Sequence, residues 1–157
     1  TYRFDKKPKA NNSYKDVKEK LQSKNITNPT IKDIAETVIE IRRAKLPDPQ
    51  VIGNAGSFCK NPVITKSEFE KILVNFPDIP HYPVNESFVK IPAAWLIDQS
   101  GLKGFRKDDA GTHINQALVI VNHGSATGTE IFDMATHIQK VVYEKFNIKI
   151  EPEVNIW

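Results

Sequence analysis

With 157 residues, 39% of them hydrophobic and 26% charged, the chain has the make-up of a folded domain and not of a disordered segment. Its net charge of +3 suits an anionic ligand and falls short of the clustered basic stripe of a nucleic-acid binder, so no nucleic-acid partner is expected. The single cysteine, Cys59, excludes an intrachain disulfide framework and a cysteine-based zinc set, and fits a reducing compartment. No apolar run approaches the roughly 20 residues that span a bilayer, so no membrane partner is expected either.

The chain opens on Thr1 without Met and stops at Trp157 in a strand-like run, and both ends are expected to be cut ends of a longer protein. Tyr2 and Phe4 alternate with polar residues, which predicts a short strand. Pro8 to Ser13 reads as loop, and Ser13 is the expected N-cap of a short helix through Leu21. Thr30 to Arg43 is the clearest early helix. Its stripe is Ile31, Ile34, Ala35, Val38 and Ile41, with Thr30 and Asp33 in capping positions and Arg42, Arg43 and Lys45 at the end that favours positive charge. Pro47 and Pro49 stop it.

The stretch 46–62, LPDPQVIGNAGSFCKNP, reads as a tightly specified loop. A helix is predicted over Thr65 to Phe76, with Thr65 and Glu68 as a capping box and Phe69, Ile72, Leu73 and Phe76 as its apolar face. Pro77, Pro80 and Pro83 interrupt regularity, and Phe88 to Ile91 suits a short strand. Ala93 to Gln99 reads as a short buried helix ended by Gly101. A long loop is expected over 101–116, then a buried strand from Ala117 to Val121. A turn follows, and Thr127 or Thr129 caps a long helix to about Phe146. Its stripe is Ile131, Met134, Ala135, Ile138, Val141 and Val142. Ile148 to Ile156 alternates apolar and polar residues and predicts a final strand. Helices and strands mix without regular βαβ alternation, so the expected class is α+β. The expected architecture is a single sandwich-like domain with helices packed on a small, mostly antiparallel sheet.

Three residue groups offer chemistry. In Gly53–Phe58 the glycines permit positive φ or close backbone approach, and Ser57 follows Gly56 with little crowding. On the residues alone this is either a tight turn with a hydrogen-bonding serine or a loop that presents a hydroxyl. Its spacing fits neither a P-loop nor a nucleophile elbow. In Glu151-Pro152-Glu153, Pro152 cannot donate to a ladder, so an edge strand or bulge is expected. Alternation puts both carboxylates on one side, where one pKa could rise, although a solvated edge strand has the same pattern. Arg42, Arg43, Lys45, Lys60 and Lys90 would hold a diphosphate if they converge, and are otherwise solvated. His81, His113, His123 and His137 lack metal-ligand spacing, and no metal site is expected.

Four motifs in order, KLPDPQVIGNAGSFCKNP (45–62), AAWLIDQSGLKGFR (93–106), HINQALVIVN (113–122) and IEPEVNIW (150–157), resemble the UDP-N-acetylenolpyruvoylglucosamine reductase (MurB) family. The resemblance is strong over residues 30–157 and looser over 1–29. It implies the C-terminal domain of a cytoplasmic flavoprotein of cell-wall synthesis. In that family NADPH reduces FAD, and UDP-N-acetylglucosamine enolpyruvate becomes UDP-N-acetylmuramate. It further implies a substrate-binding domain at 30–157, a linking segment with a tyrosine at 1–29, and N-terminal FAD-binding domains of the same protein as partners.

Residue by residue, the resemblance makes Ser57 the proton donor and Glu153 the acid that polarises the substrate carboxylate, which implies a raised pKa for Glu153. Tyr14 would pack on the nucleotide. Lys45, Asn61, Tyr82, Lys90 and Gln116 would hold the UDP-sugar. Arg42 or Arg43, with Arg42 preferred, would approach the flavin. Cys59 stands where the family often has Phe, which implies packing and no redox role. Asn155 stands where some members have arginine. The chain alone is expected not to turn over. The alternative is a non-catalytic binding module for an anionic sugar nucleotide.

Overall fold

The computed structural model describes residues 3, 11 and 13–156. The strand expected at Tyr2 and Phe4, and the loop expected over 8–13 apart from Asn11 and Ser13, lie outside the described residues. The chain divides into two compact units, Thr1–Leu46 and Pro47–Trp157.

The first unit holds α1 (Lys15–Ser23) and α2 (Ile31–Lys45). The expected N-cap, Ser13, is displaced by one residue. Tyr14 occupies the cap of α1 without a side-chain bond, and the Ser13 hydroxyl instead donates to Asn11 Oδ1 at 2.8 Å. At α2 the capping box forms as expected, with Asp33 N donating to Thr30 Oγ1 at 3.2 Å and Thr30 N to Asp33 Oδ2 at 2.8 Å. The predicted stripe of α2 is buried less than its pattern implies. Ile34, Val38 and Ile41 are half-buried, Ile31 is exposed, and Thr37 is the fully buried residue of the helix. Val17 and Leu21 of α1 are buried. Glu40 accepts from both Lys20 and Lys24, and Asp16 pairs with Lys45. The Lys45 ammonium, through its hydrogen bond first and its charge second, holds the Asp16 carboxyl below its ordinary range.

The second unit runs through β1 (Gly53–Ser57), β2 (Val63–Thr65), α3 (Lys66–Leu73), β3 (Tyr82–Pro83), β4 (Phe88–Lys90), α4 (Ala93–Gln99), β5 (Arg106–Lys107), β6 (Ala110–Thr112), β7 (Val119–Asn122) and α5 (Gly128–Phe146). The α+β class holds, and its strands form two sheets, β1-β7-β6-β5 and β2-β4-β3, in which every pair is antiparallel. One core serves both. Val89 of β4, Ile120 of β7, Leu96 and Ile97 of α4, and Met134, Ile138, Val142 and Phe146 of α5 are buried in the same cluster.

Helices that carry both a cap and a stripe form where the pattern puts them. Thr65 with Glu68, and Thr127 with Glu130, complete capping boxes. Asn147 at φ +56° closes α5 in the left-handed conformation that asparagine tolerates. Three expectations need correction. The 46–62 stretch contains β1, and the 101–116 loop contains the β5–β6 hairpin, turning at Asp108 with φ +53°. Strands of two to five residues are too short to display an alternation. The predicted final strand reduces to a single antiparallel bridge between Cys59 and Pro152, because the ends of β1 and this segment meet only there.

The caps also carry a pH dependence. Thr127 N–H, then its hydroxyl, holds the Glu130 carboxyl below the ordinary value of 4.5, and the Thr65 hydroxyl, then its N–H, holds Glu68 low. A carboxyl held low only in the fold stabilises above its unfolded pKa, and that contribution is lost as pH falls through the folded value. Glu130→Gln should therefore lower the melting temperature at pH 7 but leave it near wild type at about pH 2. An equal loss at both pH values would show that the ionised carboxylate is not what caps α5.

Candidate functional site

The site begins with a bulge. In β1, Gly53 faces Asn122, Asn54 faces Val121 and Ser57 faces Val119, so Ala55 and Gly56 together oppose Ile120. An inserted residue changes the side to which later side chains point. Gly56 makes the bulge possible at φ +75°, where any side chain would strain the backbone by about 1–2 kcal/mol. Asn54 holds it. Its Oδ1 accepts from Gly56 N at 3.1 Å, and its Nδ2 donates to Ile52 O at 2.9 Å. Asn54 has no role in the sequence reading, although an asparagine two residues before a glycine is a recognisable Asx-turn signal. Ser57 emerges exposed, and among the described residues its hydroxyl has no hydrogen-bond partner.

The next residue, Phe58, ties three segments together through its backbone. Its N–H donates to Leu118 O at 2.8 Å, and its carbonyl accepts from Glu153 N at 2.7 Å. Lys60 N donates to Glu151 O at 2.8 Å, so these last two bonds flank the Cys59–Pro152 bridge. That makes Cys59 and Pro152 a non-hydrogen-bonded pair, the one kind of ladder position that needs no N–H from proline. Glu153 therefore lies opposite Phe58, one residue from Ser57, and is exposed. Gln116 sits two residues before Leu118 in the turn into β7. It is half-buried, with its Oε1 accepting from Leu118 N at 3.5 Å.

Two further expected residues lie on the second sheet, and a third on the link that leads to it. Lys90 lies opposite both Val63 and Tyr82, and both Lys90 and Tyr82 are exposed. Asn61, on the short link from the bridge to β2, accepts at Oδ1 from Ala93 N at 2.9 Å and so caps the first turn of α4. Tyr14, Arg42 and Lys45 belong to the other unit. Tyr14 caps α1 and is exposed, Arg42 is exposed in the last turn of α2, and Lys45 is paired with Asp16. Backbone bonding through Phe58 thus joins the segments that carry Ser57, Gln116 and Glu153, and residues 60–62, Asn61 among them, lead on to the sheet that holds Tyr82 and Lys90.

Within the second unit Ser57, Tyr82, Lys90 and Glu153 are exposed, while Lys45 lines a cleft of about 450 Å³ between α1 and α2 in the first. A cleft of about 320 Å³ between the β5–β6 hairpin and α5 takes none of them, nor does one of about 410 Å³ between α3 and the end of α5. Among the described residues, no group of three His, Cys, Asp or Glu could hold a metal. Cys59 is buried in the core, and burial pushes its thiol up to about 11. The thiolate is the reactive form. A soluble disulfide reagent at pH 8 should therefore label Cys59 slowly in the folded protein and rapidly in urea. Fast labelling of the folded protein would mean that the thiol is not packed beneath the loop.

A family model for the UDP-N-acetylenolpyruvoylglucosamine reductase C-terminal domain matches residues 48–157. The chain is 54% identical over 148 residues to the UDP-N-acetylenolpyruvoylglucosamine reductase of Flavobacterium johnsoniae, covering 94% of the chain and 44% of that relative. To the reductase of the same name from Chromobacterium violaceum it is 45% identical over 152 residues, covering 97% of the chain and 45% of the relative. To that from Pseudomonas aeruginosa it is 42% identical over 155 residues, covering 99% and 46%. The chain spans a little under half the length of these curated relatives. The bulged serine loop, the Glu-Pro-Glu bridge and the helices that frame them all fall within the matched residues, and the chain belongs to the UDP-N-acetylenolpyruvoylglucosamine reductase family, within its C-terminal domain.

Proposed function

We propose that the chain is the substrate-binding part of a reductase that turns UDP-N-acetylglucosamine enolpyruvate into UDP-N-acetylmuramate for peptidoglycan synthesis. The substrate-binding domain extends over residues 30–157 and includes Lys45, with 1–29 as the link to FAD-binding domains of the same protein. NADPH is the reductant, and the chain alone does not turn over. Such a reaction fits the cytoplasm. No helix among the described residues is long and apolar enough to cross a membrane.

The observation that carries this reading is the Phe58 clamp, whose backbone bonds hold the segment bearing Glu153 beside the segment bearing Ser57. FAD, when bound, supplies a hydride to the enolpyruvyl alkene. The neighbouring carbon must then take a proton, and a hydroxyl without an internal partner suits that step. Ser57 Oγ–H donates it. Serine is a weak acid, so the proton moves only to a strongly basic carbon. Glu153 orients and polarises the substrate carboxylate beside it. Lys90 and Lys45 offer charge-assisted bonds to the diphosphate, while Asn61, Tyr82 and Gln116 hold the sugar and Tyr14 packs on the nucleotide. Exposed Arg42 fits a contact to the polar edge of the flavin. The exposure of Ser57, Tyr82, Lys90 and Glu153 fits a site whose remaining walls come from the flavin-binding domains.

In the whole reductase, Ser57→Ala should slow substrate reduction by roughly 10²–10⁴ while NADPH still reduces the flavin at its normal rate. Stopped-flow separation of the two half-reactions reads this directly. Equal damage to both would make Ser57 structural. An undiminished substrate step would favour a binding role for this face without acid catalysis.

A further inference from the structure

We infer that Gln139, in the middle of α5, is a positioning residue for Glu153. The inference rests on the proposed role of Glu153. The segment that carries Glu153 is not a ladder strand. Among the described residues, three hydrogen bonds tie 148–156 to the rest of the unit. Two are the bridge bonds, Lys60 N to Glu151 O and Glu153 N to Phe58 O. The third comes from a side chain, Gln139 Nε2 donating to Ile150 O at 2.8 Å.

The place of that third bond gives it leverage. Ile148 and Ile150 are buried, and Glu151 is the first residue beyond them to be exposed. Gln139 grips the chain where it leaves the core, three residues before Glu153. Pro152 lies between the grip and the acid and cannot add an N–H bond of its own. With Gln139 lost, only the two bridge bonds remain as hydrogen bonds to the arm, beside the packing of Val154 against the core. Position 139 follows buried Ile138, is itself half-buried, and lies one turn from buried Ala135. A leucine would cover the same surface, so the carboxamide adds a directed donor and not merely area.

The experiment uses the whole reductase with Gln139→Leu, which removes the donor, and Gln139→Arg, which keeps N–H donors. Hydrogen exchange over 151–156 reports the arm, and exchange over β7 reports global folding. Gln139→Leu should speed exchange of the arm by about tenfold or more with β7 unchanged. It should slow substrate reduction, leave flavin reduction by NADPH intact, and be rescued in both respects by Gln139→Arg. Unchanged exchange of the arm in Gln139→Leu overturns the positioning role whatever the reaction. Faster exchange with normal substrate reduction shows instead that Glu153 is not where the chemistry happens, and sinks the proposed role of that acid. Failure of Gln139→Arg to rescue either readout means that the donor is not the cause.

Discussion

The backbone of Phe58 is the constraint on which the site depends. Its N–H reaches the turn before β7 and its carbonyl reaches Glu153, so one residue fixes the distance between two segments remote in sequence. Burial keeps it there. Phe58 and Cys59 both lie in the core, and a fully buried phenylalanine contributes about 1.5–3 kcal/mol. Moving Phe58 to release either hydrogen bond would expose that surface. The polar residues on either side, Ser57 and Lys60, stay at the surface as a result. A rigid apolar pair thus holds up an exposed polar one, which is what a preorganised site requires.

The bulge and the bridge solve complementary problems. A regular β1 would continue its alternation through Ser57. The extra residue at Ala55–Gly56, held by the Asn54 carboxamide, resets that alternation just before the serine. On the other arm, proline would break a ladder at a hydrogen-bonded position, and it is tolerated because it faces Cys59 at a non-hydrogen-bonded one. Pro152 also stiffens the segment between two carboxylates. Each arm therefore spends its unusual residue, Gly56 or Pro152, on aiming the side chain next to it.

Three helices, α2, α3 and α5, were legible in the sequence because each combines two signals of different origin. Thr65 with Glu68, Thr127 with Glu130 and Thr30 with Asp33 mark starts by hydrogen bonding, and the stripe of α5 marks its buried face by period. Without a side-chain cap, α4 was still read correctly as Ala93–Gln99, but the start of α1 was misplaced. Ser13 looked like a cap, but nothing fixed the first turn of α1 to begin beside it. The stripe of α2 has a helical period without deep burial, since period reports conformation and not what covers it. Short strands such as Tyr82–Pro83 and Arg106–Lys107 carry too few residues for alternation, and only their partners define them. The backbone pairing of Glu153 with Phe58, next to Ser57, was not readable from local pattern at all. It arises from backbone bonds that any residue types could make, and family resemblance alone paired the two motifs beforehand.

The central claim is that the Glu-Pro-Glu arm is seated on the end of β1 in solution. The non-hydrogen-bonded pairing of Cys59 with Pro152 brings their Cα atoms to about 4.5 Å, close enough for a strong Hα–Hα nuclear Overhauser effect. That cross-peak should be present in the folded protein, alongside those that pair β1 with β7. Its absence, with the β1–β7 peaks intact, would mean that the arm is not seated and that Ser57 and Glu153 do not share a site.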